Sequence, residues 1–130
     1  KSFVLEQEQD VQKVQFFIKD DIQRLKLVEL IKQTFSGFAV SSALDENVEI
    51  NAEFATKGEG LYALAKYIGV KRDDTMAIGD SYNDLPMIHA AGLGIAMSNA
   101  AQRVKDEAKW VTLSNDMDGV ASAIEEFCLR

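Results

Sequence analysis

The feature that most restricts this chain is an alternation that begins at Thr56, where short apolar runs and helix-period stretches follow one another almost to the end. Thr75, Met76, Ala77 and Ile78 form one apolar run, residues 93–97 a second, and Trp110, Val111 and Thr112 a third. Runs this short, bounded by glycine and turn residues, suit strands buried on both faces. Between them Leu61, Leu64, Ala65 and Ile68 make a helical stripe that Thr56 and Glu59 open with capping-box spacing and Gly69 ends. Leu85, Ile88 and Ala91 mark a second helix, capped by Asn83 or Ser81 and closed by Gly92; Pro86 falls in its first turn, where a missing N–H costs little. Asn99 is placed to cap a third helix with Ala101, Val104 and Ala108, and Val120, Ile124 and Phe127 share one face of a last helix from about Asp118. Strand and helix in turn predict an α/β fold with a parallel sheet.

The first part of the chain has a different rhythm. Val14, Phe16 and Ile18 alternate with Gln15 and Phe17, as in a half-buried strand, and Asp20 or Asp21 then opens a helix with Ile22, Leu25, Val28 and Ile31 on neighbouring turns. After Gly37, residues 38–43 and 48–52 read as two strands joined through the turn-prone Asp45, Glu46 and Asn47. The expectation is a strand, a helix and a β-hairpin over residues 1–54, followed by the alternating unit over residues 55–130.

Composition narrows the function. A net charge of −7 on 130 residues, shared almost evenly by the two parts, provides none of the basic patches that phosphate-backbone binding needs, so a nucleic-acid partner is disfavoured. No apolar run approaches the length that spans a bilayer, so no membrane partner is expected. Cys128 is the single cysteine, which excludes an internal disulfide and suits a reducing, cytoplasmic setting.

The chemistry concentrates in Gly79-Asp80-Ser81-Tyr82-Asn83-Asp84. Here two carboxylates and an amide stand at the carboxyl end of an expected parallel strand, where open α/β sheets bind their ligands. Oxygen-only donors suit Mg²⁺, a hard cation that keeps several waters and shares its shell with substrate phosphate. The same acids also suit simple helix capping, since negative charge at a helix N-terminus is favourable. Lys57, at the start of an earlier helix, is either a solvated surface cation or an ammonium set across the same crevice to neutralise phosphate charge.

From Thr56-Lys57-Gly58, through Met76-Ala77-Ile78-Gly79-Asp80-Ser81-Tyr82-Asn83-Asp84-Leu85-Pro86-Met87 and Gly94-Ile95-Ala96-Met97-Ser98-Asn99-Ala100, to Asp118-Gly119-Val120, the sequence resembles the C-terminal half of Cof-type phosphatases of the haloacid dehalogenase (HAD) superfamily. The resemblance implies a partial HAD-like Rossmannoid core, preceded by the last helix and hairpin of an α/β cap domain. It implies a magnesium-dependent phosphatase that hydrolyses small phosphorylated metabolites, sugar phosphates or phosphorylated cofactors, through an aspartyl-phosphate. By the same resemblance Lys57 binds phosphate and orients the nucleophile, Asp80 is the acidic metal ligand, Asn83 lies near the phosphoryl group, and Asp84 is the second acidic position, ligating directly or through water. Asn99 matches the pattern but is expected to serve as a helix cap. Glu49 and Asn51 share one face of the last cap strand, from which they either approach the crevice or remain solvated.

One part of the family pattern is not matched. An Asp-x-Asp closing an apolar first core strand, the source of nucleophile and general acid, is not found, and Asp20-Asp21 has neither its spacing nor its strand. The resemblance therefore implies the C-terminal part of an enzyme, inactive alone, with a bare edge on the strand that ends in Ile78 and self-association through it. The alternative is a non-catalytic binding or interaction protein that keeps the acidic loop.

Overall fold

The computed structural model describes residues 11–41 and 46–129 of the chain. Two three-stranded sheets organise them. The first contains β1 (Lys13–Phe17), β2 (Phe38–Ser41) and β3 (Asn47–Ala52), all antiparallel, in the order β1-β3-β2, with helix α1 (Asp21–Thr34) between β1 and β2 in sequence. Asp20 caps α1, its side chain accepting the Gln23 N–H at 2.9 Å. The helix lies against β2 and β3 and buries Ile31, leaving Ile22 and Leu25 exposed. The expected half-burial of β1 is not observed: all five residues of this edge strand are exposed, and α1 packs chiefly on β2 and β3. The expected extension of the second strand to Ala43, and Asp45 of the turn, lie outside the described residues.

The second sheet is parallel, as the alternation predicts. Its strands β4 (Met76–Gly79), β5 (Leu93–Ala96) and β6 (Trp110–Val111) stand in sequence order. Helix α2 (Lys57–Ile68) precedes β4, α3 (Leu85–Ala90) connects β4 to β5, α4 (Gln102–Asp106) connects β5 to β6, and α5 (Gly119–Phe127) follows. Gly69 ends α2 in the left-handed region, at φ 73°, where a Cβ would be strained. The core gathers Ile88, Ala96, Ala100 and Val104, with Leu85 and Ala108 packed against it, so that α3 and α4 bury one face of the central strand β5.

Two expected apolar stripes are only partly covered. On α2 Ala65 is buried while Leu64 and Ile68 are exposed, and on α5 Ala123 is buried while Val120 and Phe127 are exposed. The periodicity is right for both helices, but among the described residues the sheet is too narrow to cover their full faces. No helix among the described residues is long and apolar enough to cross a membrane.

Candidate active site

The site is built where β4 ends. Gly79 is the last residue of the strand, and its backbone runs so close to Asp84 that a Cβ there would overlap the Asp84 side chain. The loop that follows is a capping box: the Ser81 hydroxyl receives the Asp84 N–H, and the Asp84 carboxylate receives the Ser81 N–H. Asp84 Oδ2 accepts both the Asp80 and Ser81 N–H groups at 3.0 Å. The residue is buried, and its other oxygen, Oδ1, is ion-paired with Lys57 Nζ.

Lys57 reaches this position because two helix starts are pressed together. Thr56 caps α2 through the Glu59 N–H, and Gly58, buried, packs directly on the backbone carbonyl of Pro86 in the first turn of α3. Any larger residue at Gly58 would separate the two helix ends. The Lys57 ammonium also lies 3.5 Å from Asn83 Oδ1, and its side chain remains about half exposed (49%). With three N–H donors and two protein acceptors, one donor is left for the crevice.

Asp80 faces the other way and is exposed. Its Oδ1 accepts the Ser81 hydroxyl at 3.3 Å and its Oδ2 the Asn99 amide at 3.2 Å. Asn99 does not cap a helix: the cap position of α4 is Ala101, without a side-chain bond, and Asn99 instead bridges Asp80 to the Asn115 N–H, which its Oδ1 accepts at 3.1 Å. The signal for this role is its position just beyond β5, the parallel neighbour of β4, so that both strand ends open on the same side of the sheet.

The structure therefore brings Lys57, Asp80, Asn83 and Asp84 together and adds Ser81, Asn99 and Asn115. It does not bond Glu49 or Asn51 to any of these. Glu49 is buried in the first sheet, where its carboxylate accepts Lys13 Nζ at 2.9 Å and Asn47 Nδ2 at 3.2 Å. One Asp-x-Asp spacing does occur, at Asp116 and Asp118, but these residues lie in a 3-10 turn and at the start of α5, not at the end of an apolar strand. A cavity of about 440 Å³, lined by Met97, Asn115, Asp118, Val120 and Ile124 among others, lies beside α5 rather than at the acidic turn.

As donors for a divalent cation, these groups fit Mg²⁺ in kind, being oxygens throughout, with neither imidazole nor thiolate in the turn. They fit it in part by number. Asp84 is already committed to Lys57 and two N–H groups, Asp80 is the carboxylate open to a cation, and no cluster of three acidic, histidine or cysteine side chains occurs among the described residues.

Lys57, Asp80, Asn83 and Asp84, the residues on which the family resemblance rests, meet at the end of a parallel strand, and the family model for haloacid dehalogenase-like hydrolases matches residues 1–124. The chain belongs to that family. The HAD chain is 37% identical over 114 residues to the 5-amino-6-(5-phospho-D-ribitylamino)uracil phosphatase YcsE of Bacillus subtilis, an alignment covering 88% of this chain and 45% of that protein. Its fold matches a haloacid dehalogenase-like hydrolase from B. subtilis with a TM-score of 0.86 at 32% identity, covering 96% of this chain and 45% of the other. It matches a HAD subclass IIB sugar phosphatase, BT4131, with a TM-score of 0.84 at 26% identity, covering 98% and 47%. The HAD chain thus spans less than half the length of these relatives, and the family, of Cof type, is one of phosphatases.

Proposed function

We propose that these residues form the cation- and phosphate-binding part of a magnesium-dependent phosphatase that hydrolyses small phosphorylated metabolites, sugar phosphates or phosphorylated cofactors. The observation that carries this reading is the Lys57–Asp84 pair held beside the exposed Asp80 carboxylate at the end of β4. The phosphorylated substrates of YcsE and the sugar phosphatase activity of BT4131 support the substrate class. Residues 1–54 belong, on this reading, to a cap and residues 55–130 to the hydrolase core, with Glu49 and Asn51 on the cap sheet contributing to substrate selection. A single cysteine, Cys128, suits a cytoplasmic protein.

Each residue then has a distinct task. Lys57, steered by Asp84 and Asn83, directs its remaining N–H at a phosphoryl oxygen and offsets charge that builds up during transfer. Asp84 steers Lys57 and holds the loop backbone, and through the remaining lone pair of Oδ1 it is the second acidic position of the metal site, ligating directly or through water. Asp80 is the open carboxylate ligand from this part of the chain, and Asn83 presents its amide to the phosphoryl group. Mg²⁺, when bound, neutralises phosphate charge and orients the group in line with its attacker.

The covalent step requires a further aspartate, which the described residues do not place at this site. Its carboxylate oxygen bonds to phosphorus as the bond to the ester oxygen breaks and that oxygen takes a proton; water then bonds to phosphorus, the aspartyl oxygen leaves, and phosphate is released. In the intact protein Asp80→Ala should lower magnesium-dependent hydrolysis of an aryl phosphate by about 10²-fold or more, while Lys66→Ala, on the exposed surface of α2, should leave it near wild type. Equal losses would place the site elsewhere. The 130-residue chain alone should show no turnover, and hydrolysis that Asp80→Ala abolishes in it would overturn the proposal.

A further inference from the structure

We propose that Asn99 is a positioning residue that fixes the Asp80 carboxylate for its cation, an inference that rests on the reading of Asp80 given above. The ladder between β4 and β5 continues past the strand ends, with the Met97 N–H donating to the Gly79 carbonyl at 2.9 Å, and a turn follows in which the Ala100 N–H returns to the Met97 carbonyl at 3.0 Å. That turn sets Asn99 beside Asp80. The amide then meets two groups of opposite demand: the Asn115 backbone N–H, which only donates, and the Asp80 carboxylate, which only accepts. An amide between such partners has a single satisfactory orientation, with Oδ1 toward Asn115 and Nδ2 toward Asp80.

The anchor at the far end is firm. Asn115 opens the turn before α5, closed by the Gly119 N–H to the Ser114 carbonyl at 2.9 Å and by the Thr112 hydroxyl to the Gly119 carbonyl at 2.7 Å. Gly119 sits where a Cβ would overlap the Leu113 carbonyl, so the turn has little freedom to shift. At the near end, Asn99 on Oδ2 and Ser81 on Oδ1 give each Asp80 oxygen one protein hydrogen bond and leave each a lone pair. The terminal torsion of an aspartate is otherwise broad, and these two bonds narrow it. A hydrogen bond that orients a cation ligand without touching the cation typically changes affinity by about 10–100-fold when removed.

The test compares Mg²⁺ affinity by calorimetry, the Mg²⁺ dependence of the rate, and the thermal midpoint in the intact protein and its Asn99→Ala, Asn99→Asp and Asp80→Ala variants. Asn99→Asp keeps the acceptor for the Asn115 N–H but replaces the donor toward Asp80 with a second carboxylate oxygen, so it preserves the turn while turning the positioning contact into a repulsion that adds negative charge at the site. Asn99→Ala is expected to weaken Mg²⁺ binding about 10-fold or more, and Asn99→Asp to move the affinity away from wild type with the thermal midpoint largely retained. Wild-type Mg²⁺ affinity in both Asn99 variants, with Asp80→Ala impaired, overturns the positioning role and leaves the proposed function standing. Unchanged affinity in Asp80→Ala overturns that reading of Asp80 and the role of Asn99 together.

Discussion

Gly79 and Asp84 are packed so closely that a Cβ on Gly79 would overlap both the Cβ and the carboxyl carbon of Asp84. The contact lets the end of β4 and the first turn of α3 share one loop, and it places the Asp84 carboxylate under the Asp80 and Ser81 N–H groups. Gly79→Ala is therefore expected to destabilise the protein by about 1–3 kcal/mol through overpacking. It should also displace Asp84 from Lys57. Urea unfolding measures the first effect, and the chemical shifts of the Asp80 and Ser81 amides report the second; unchanged amide shifts would show that the loop does not depend on this contact.

The two aspartates of the turn should respond unequally to neutralisation. Asp84→Asn places an NH₂ against either two backbone N–H donors or the Lys57 ammonium, and leaving those donors unmatched at a buried aspartate whose lysine is half exposed is expected to cost about 1–3 kcal/mol. Asp80 is exposed and accepts only from a hydroxyl and an amide, so Asp80→Asn should change stability by no more than about 0.5 kcal/mol. Chemical denaturation of the two variants decides between them. Equal effects would mean that the Asp84 network contributes nothing to folding.

A second cluster gives the protein an acid-sensitive contact. Glu107, just past α4, receives Arg103 Nε at 2.9 Å and lies 2.8 Å from Nε2 of His89 on α3. The hydrogen bond from Arg103 holds the Glu107 carboxyl below its ordinary value, helped by the charge of Arg103 and by His89 and opposed by desolvation. Because the folded carboxyl is the stronger acid, the unfolded chain takes up protons first as pH falls. The contribution is thus complete above the ordinary glutamate pKa and disappears as pH drops through the lower folded value. Glu107→Gln should flatten the acid limb of the thermal midpoint as pH falls through and below the ordinary glutamate range. The same slope in both proteins would assign acid sensitivity to other groups.

Strand β4 pairs with β5 on one side, and no described strand pairs with its other side. An apolar strand with unpaired N–H and C=O groups is a template for another chain. The 130-residue chain, produced by itself, is therefore expected to self-associate through residues 76–79 and to appear as an oligomer in light scattering. A monodisperse monomer in which the amides of residues 76–79 that point away from β5 exchange freely with solvent would contradict this expectation.

Much of the site can be read directly in the amino-acid order because it depends on local rules. Short apolar runs set against helix-period stretches determine the α/β alternation; Thr56 and Gly69 bound α2 through a cap and a left-handed turn; and an acidic loop after an apolar strand lies at the sheet end where ligands bind. These features need only neighbouring residues, so tertiary contacts had little to alter. What the tertiary structure decided is how the groups are shared. Asp80 and Asp84 are alike in sequence, yet one is turned into the loop because Gly58 lets α2 approach Pro86 and deliver Lys57, while the other is left open at the strand end. Asn99 reads as a helix cap from its neighbours alone; pairing of β5 with β4 and the fold of the turn at Asn115 convert it into a tether for Asp80. Hydrogen-bond partners far apart in the chain depend on strand order and on the close approach of backbones, and neither is encoded in the local pattern around a residue.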